Sequence, residues 1–538
     1  MRLAPILFFL PLGAQPPGAI YLNGKVITVD AKFSIAQAFA TTGDKFTAVG
    51  SNAEVRKLAG ASTRVVDLQG RTVVPGFEDS HLHSAGGGPG IDLSAARSIG
   101  DVLSAIRDRA KTTDLVVSNS DWHEAQLKEQ RLPLRRDLDT AAPETPVVLV
   151  RGGHEYVLNS AALAKWRIDR DTQAPPGGQI SRYPDGEPNG ELIDRARTLV
   201  TLPANRPTLD KQIESWSAQF KRLNAAGLTS IRMPGISIDQ YRLFQEMKRR
   251  GLLTIRIDAL LSMPPDPDPQ KLRAFLAPMK PRDGDEWLRI DGVKLIVDGG
   301  FEGGWMRDPY ANNSEFHGLQ LVPRDRYIAI VKELNRLGWR VATHAVGDAA
   351  IDQVLEAYDA ANAESPIAGK RWTIEHGFIP REEHFARIKS LGVIVTVQNH
   401  LYLAGPVLVR YWGAQRAAWT TPVRAYLDHG VALAAGTDSP VVPFPPLWTI
   451  YHFVTRDTIS GGVLGADQKI TIEEALRLST VANAYLTFDE KTKGSIEPGK
   501  LADFVVLDQD ILTASRIDRI KVVTTIVGGG PPGPRAIP

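Results

Sequence analysis

Two histidines one residue apart, His81 and His83, close a short run that begins Val73-Val74-Pro75-Gly76-Phe77. On a strand, residues i and i+2 point the same way, so both imidazoles can reach one metal ion. One histidine is weak evidence, since most serve packing or the surface. Four later strand-like runs, however, also carry a ligand-type residue. Val293–Gly299 holds Lys294, Arg340–His344 and Trp372–His376 each finish on a histidine, and Val431–Asp438 finishes on an aspartate. Imidazole and carboxylate donors suit a divalent ion, zinc before manganese, iron, cobalt or nickel. His81, His83 and Asp438 would hold one ion, and His344 and His376 a second; one ion or two stays open. Water on such an ion loses a proton near neutral pH, and Asp438 could take that proton and deliver it to a leaving group. Lys294 is the awkward member, because an ammonium has no lone pair. Next to two cations it would deprotonate readily and could react with carbon dioxide. Paired with Asp298 beside the core, it would be purely structural.

The elements around these residues supply the means of bringing them together. From Thr208 onward the chain alternates regularly between amphipathic helices and apolar strands. Helices are expected over 209–226, 238–250, 324–337, 349–361 and 381–391, and strands over 227–233, 253–260, 293–297, 340–343, 372–375, 393–397 and 431–435. With Val73–Asp79 as the first strand there are eight, the number a closed (β/α)8 barrel needs, and its rim would collect the strand ends. Residues 92–200 break the alternation and read as an insertion that shapes the pocket. Within and beside it, His154 and Trp122 are candidate substrate contacts, against ordinary roles in packing. Glu375 should face away from the metals by strand alternation. His123, His317, His400 and His452 are placed near the rim, and His384 and His429 on helix surfaces. Short strands at both ends of the chain predict a small discontinuous β-sandwich domain, residues 15–72 with 494–530, flanking the barrel at 73–493. Asn23-Gly24 is a hairpin signal between its first two strands, and 531–538 reads as a loose tail.

Composition narrows the function. The 538 residues carry a formal charge of +2, no cysteine, and 43% hydrophobic residues. There is no basic tract, P-loop, dinucleotide-binding glycine motif or Gly-x-Ser-x-Gly elbow, so nucleic-acid binding and serine hydrolase chemistry are not indicated. The missing cysteines exclude disulfides, thiolate zinc sites and a cysteine nucleophile. No run is long enough to span a membrane. Residues 1–14 read as a short cleaved signal, with Arg2 ahead of the apolar stretch from Leu3 to Leu12. A periplasmic or secreted protein follows from that reading, and a cytoplasmic one if the segment is instead buried. A homodimer is compatible with the sequence.

The pattern His81-x-His83, Lys294, His344, His376 and Asp438 resembles the amidohydrolase superfamily. Its surroundings resemble one branch, amidohydrolase family 3, the YtcJ-like and N-substituted formamide deformylase-like group. The matching phrases are Pro75–His83, Gly153–Ser160, Lys294–Gly299 and Gly436–Val441. The resemblance runs from about residue 20 to about residue 510. It implies a metal-dependent barrel hydrolysing a C–N bond of a small amide, formamide or N-acyl compound, with Lys294 as a carbamate. The absence of cysteine argues against the aminoacylase-like relatives, which place one in the metal site. A decarboxylase or isomerase on the same barrel, or a non-catalytic ligand-binding barrel, are the alternatives.

Overall fold

The computed structural model describes residues 16–203, 207–263 and 268–529, with the backbone of 536–537. The signal read at 1–14 lies outside the described residues, as does the expected tail apart from 536–537.

Eight parallel strands form the central sheet: β1 (Phe77–Asp79), β2 (Leu228–Ile236), β3 (Arg256–Ser262), β4 (Leu288–Ile296), β5 (Val341–Ala345), β6 (Thr373–His376), β7 (Ile394–Gln398) and β8 (Ala432–Gly436). Each pairs with its neighbour in sequence, which is the (β/α)8 arrangement. The connecting helices bury one stripe each. Ser237 caps Ile238–Arg249 by accepting from Gln240 N–H, and Tyr241, Phe244 and Met247 recur at helical spacing on its buried face.

The seam between β1 and β8 is closed mostly by side chains. Ser80 N–H donates to Ala435 O at 3.0 Å. The Asn483 amide donates to Glu78 O (2.8 Å) and Ala435 O (2.9 Å), clipping both strands. The Asp79 carboxylate accepts from Thr437 Oγ1 at 2.7 Å and from His81 N–H at 2.9 Å. Gly436 lies so close that a Cβ there would stand 2.6 Å from Asp79 Oδ1 and 2.7 Å from His81 N. Only glycine fits this crossing.

The expected first strand proves to be two. Thr72–Pro75 belongs to a six-stranded sheet, between Lys25–Ile27 and Phe504–Leu507, and β1 starts after Gly76. A Cβ at Gly76 would lie 2.2 Å from Thr229 Oγ1, so the chain changes sheets where no side chain has room. Asn23-Gly24 does not close a hairpin either. Ala19–Leu22 and Lys25–Ile27 lie in different sheets, and the turn, with Asn23 at φ 58°, passes the chain from one to the other. Strands from both chain ends thus meet, and Phe39, Phe46 and Phe504 pack together between the two sheets. Residues 116–194 carry a separate five-stranded sheet. Among the described residues no helix is long and apolar enough to cross a membrane.

Candidate active site

Four of the predicted ligands, His81, His83, His344 and His376, converge at the C-terminal ends of the barrel strands around Asp438. Its Oδ1 lies 3.3 Å from His81 Nε2 and 3.1 Å from His83 Nε2. Its Oδ2 lies 3.0 Å from Nε2 of His400. The rings of His81 and His376 are 4.8 Å apart, and those of His376 and His344 4.5 Å. Two groups of donor atoms close enough to share an ion follow: His81, His83 and Asp438, and His376, His400 and Asp438. His400 was missed as a candidate ligand. It follows β7 by two residues and opens the helix His400–Trp412, where it is buried instead of lying on a rim loop. A histidine just past a barrel strand was the available signal.

The imidazoles are held by the nitrogen that faces away from this centre. His81 Nδ1 lies 2.6 Å from Glu375 Oε2, which leaves Nε2 buried with no hydrogen-bond partner. His376 Nδ1 donates to Gln398 Oε1 at 2.8 Å. His344 Nε2 donates to Gly299 O at 3.0 Å, leaving Nδ1. Such outer hydrogen bonds fix tautomer and ring orientation at metal centres. Burial, reinforced by neighbouring cations, lowers the pKa of all three and keeps them neutral with a lone pair available. Burial opposes ionisation of Asp438, but the surrounding imidazoles outweigh it and hold the carboxyl well below its usual range.

Glu375 corrects the alternation argument. It points into the barrel, where it accepts from His81, from Arg232 Nη1 at 2.9 Å and from Thr396 Oγ1 at 2.6 Å. The reason is local. His376 has φ 75°, in the left-handed region, so the strand geometry ends there and two successive side chains serve one centre. Asp438 has φ 63°. Such backbone conformations are uncommon outside glycine and concentrate at functional sites.

Lys294 is buried on β4, and burial lowers its pKa to about 8 although Glu375 and Asp438 pull the other way. It makes no ion pair among the described residues. The structural alternative, pairing with Asp298, is not what occurs. Asp298 instead accepts backbone N–H groups from Trp305, Val346 and Gly347.

A cavity of about 570 Å³ opens over this centre, lined by His81, His83, Lys294, His344, His376 and Asp438. The insertion contributes Gly153, His154, Asp194 and Arg197 to its wall. His154 Nδ1 lies 2.6 Å from Asp194 Oδ1. Burial opposes protonation of His154, yet Asp194 outweighs it and raises the pKa. Trp122 is not on this wall. It is buried in the insertion's own core with Leu149 and Val157, its indole N–H donating to Val150 O. A large apolar ring next to a small satellite sheet is worth more as its core than in a pocket. His123 and His452 are also buried, the first capping Glu124–Gln126 and the second bonded to Asp457 O, and neither belongs to the donor groups around Asp438. His384 is buried against Asp352 instead of lying on a helix surface, whereas His429 is partly exposed beside Glu382 and His317 is exposed.

With this geometry in view, comparison with known proteins is decisive. The model of the amidohydrolase family matches residues 64–531. The chain belongs to the amidohydrolase family. This amidohydrolase is 28% identical to N-substituted formamide deformylase of Arthrobacter pascens, covering 94% of this chain and 97% of that one. It is 26% identical to the putative amidohydrolase YtcJ of Bacillus subtilis, over 95% and 98% of the two chains. An uncharacterized metal-dependent hydrolase from Pyrococcus horikoshii has the same fold, with a TM-score of 0.69 at 24% identity, over 92% of this chain and 98% of that one.

The donors of the amidohydrolase fit a divalent ion. Neutral imidazoles aimed inward, an ionised carboxylate, and the unpartnered Nε2 of His81 form a set that protein partners alone leave incomplete.

Proposed function

We propose that this amidohydrolase cleaves the C–N bond of a small amide, formamide or N-acyl compound. The observation that carries the reading is Asp438, whose two carboxylate oxygens face different histidine groups on the floor of one cavity. His81, His83 and Asp438 would hold one ion, with zinc the best match. His344 and His376 would hold a second, and His400 stands within reach of it. When bound, a divalent ion supplies Lewis acidity for the carbonyl and lowers the pKa of water. Asp438 accepts the proton of the attacking water and passes it to the departing nitrogen, which leaves as a neutral amine. His154, fixed through Nδ1 by Asp194, presents its other nitrogen as a donor for the carbonyl oxygen as it gains charge. Lys294, as a carbamate, would be a further ligand, since its lowered pKa leaves a substantial fraction of reactive amine at mildly alkaline pH.

Three measurements test this. Chelation followed by gel filtration should lower turnover of an amide panel at least about 100-fold, and added zinc should restore it. Product analysis should find one amine and one acid per bond cleaved. Released carbon dioxide would instead point to decarboxylation. Elemental analysis should give about two ions per chain, falling to one or none in Lys294→Ala. An unchanged metal content in that variant would remove Lys294 from the ligand set.

A further inference from the structure

The histidine floor of the cavity is absorbed by the proposed reaction, but two cations on its wall are not. Arg195 and Arg197 both line the same cavity as Asp438. They lie in the turn Arg195–Leu199, immediately after Asp194, whose φ of 47° redirects the chain. The buried arginines elsewhere are mostly matched by carboxylates: Arg151 by Glu124 and Glu302, Arg232 by Glu375, and Arg256 by Asp503. Arg195 and Arg197 form no ion pair among the described residues. Arg195 donates from Nη2 to Leu321 O at 2.7 Å, and Arg197 from Nε to Asp194 O at 3.2 Å. The Arg197 guanidinium also lies 5.3 Å from the centroid of the Tyr156 ring. Carbonyls and a ring therefore hold the two side chains without neutralising their charge. The charge of Arg197 is felt at His154, on the same wall.

A partly buried, unneutralised guanidinium is an inviting partner for a planar anion, because its N–H fork matches the two oxygens of a carboxylate. Beyond these cations the wall is largely apolar, with Met263, Leu321, Val322, Ile330 and Val441. A bare inorganic anion would have no use for such a wall, whereas a hydrocarbon side chain would. The cavity volume suits a ligand of this size. We propose that Arg195 and Arg197 form a carboxylate subsite, and that the substrate is an N-acyl or N-formyl compound bearing both a carboxylate and an apolar side chain, as an N-acylated apolar amino acid does. The substrate class rests on the hydrolytic reading given above; the subsite itself does not.

The test compares N-formyl- and N-acetyl-phenylalanine and -leucine with their methyl esters, measuring release of the free amine. The wild type should favour acid over ester in kcat/KM by about 30-fold or more, and Arg195→Gln and Arg197→Gln should each cut that ratio about 10- to 100-fold. Equal handling of acid and ester by the wild type, or an unchanged ratio in both variants, overturns the subsite. A second arm needs no turnover. By calorimetry, 4-phenylbutyrate should bind the wild type and bind about 10-fold or more weakly to each variant, whereas Arg→Lys at either position should restore part of the affinity. Arginine-dependent binding without cleavage of any amide would uphold the subsite and remove the hydrolytic reading. Cleavage of amides with no arginine dependence in either arm would do the reverse. Unfolding midpoints of the variants close to wild type exclude misfolding as the cause.

Discussion

Asp438→Asn should lower kcat/KM by about 10³- to 10⁴-fold while leaving the fold intact. The carboxylate is the one group in the cavity that both touches the histidine floor and can carry a proton between water and the leaving nitrogen. Asparagine keeps the shape and can still donate or accept, but it cannot take the proton away. The backbone gives a reason to expect proper folding. Asp438 sits at φ 63°, a conformation that asparagine adopts at least as readily as aspartate. The check is steady-state kinetics on a cleavable amide, with circular dichroism and metal content measured on the same preparation. Turnover within tenfold of wild type would exclude Asp438 as the proton carrier.

Glu375→Ala should be the most damaging change to stability, with a loss of about 3–5 kcal/mol. Glu375 is fully buried, and the charge of Arg232 is the leading influence that overcomes burial and keeps it ionised. Removing it leaves Arg232 in the barrel interior with Ser80 O and the Thr373 hydroxyl, and with Asp291 only at 3.8 Å. A buried charge that loses its partner costs far more than a surface pair is worth. The same change frees His81 Nδ1, so the ring loses its tautomer and the metal content should fall with it. Glu375→Gln, which keeps the volume and one acceptor oxygen, should be milder on stability. Urea unfolding of both variants with metal analysis checks this, and a loss below about 1 kcal/mol for the alanine variant would show that the network is not coupled as drawn.

The parts of this architecture legible in the sequence are those that follow from period and position. Strand ends carrying His344, His376 and Asp438 announce a common rim, because parallel strands in a barrel all finish at one face. The helices between them are visible because each has one apolar stripe, and the boundaries moved by only a few residues. What was not legible depends on single backbone torsions or on competition between cores. Alternation turns Glu375 outward only if His376 keeps an extended backbone, and its φ of 75° is not extended. The run from Val73 to Asp79 looks like one strand until the contact between Gly76 and Thr229 shows that it is shared between two sheets. Trp122 is an aromatic residue in an insertion near a pocket, and composition cannot say which of two adjoining apolar regions claims it. His400 gave no periodic signal, because it begins a helix whose first turn faces the centre.

The seam has a consequence for how the protein comes into being on the ribosome. His81 and His83 are made early, yet the carboxylate they face and the Asn483 clip that fixes their strand arrive much later. Asp79 and Thr437 are 358 residues apart in sequence. Domains assemble as synthesis proceeds, and contacts of such long range form last. A nascent chain that has not yet delivered residues 432–483 has the five histidines of the centre but neither Asp438 nor the strand and clip that close the seam. Assembly of the site around Asp438 is therefore a late event in biogenesis, and a chain clipped before Asn483 lacks the clip that joins the first and last barrel strands.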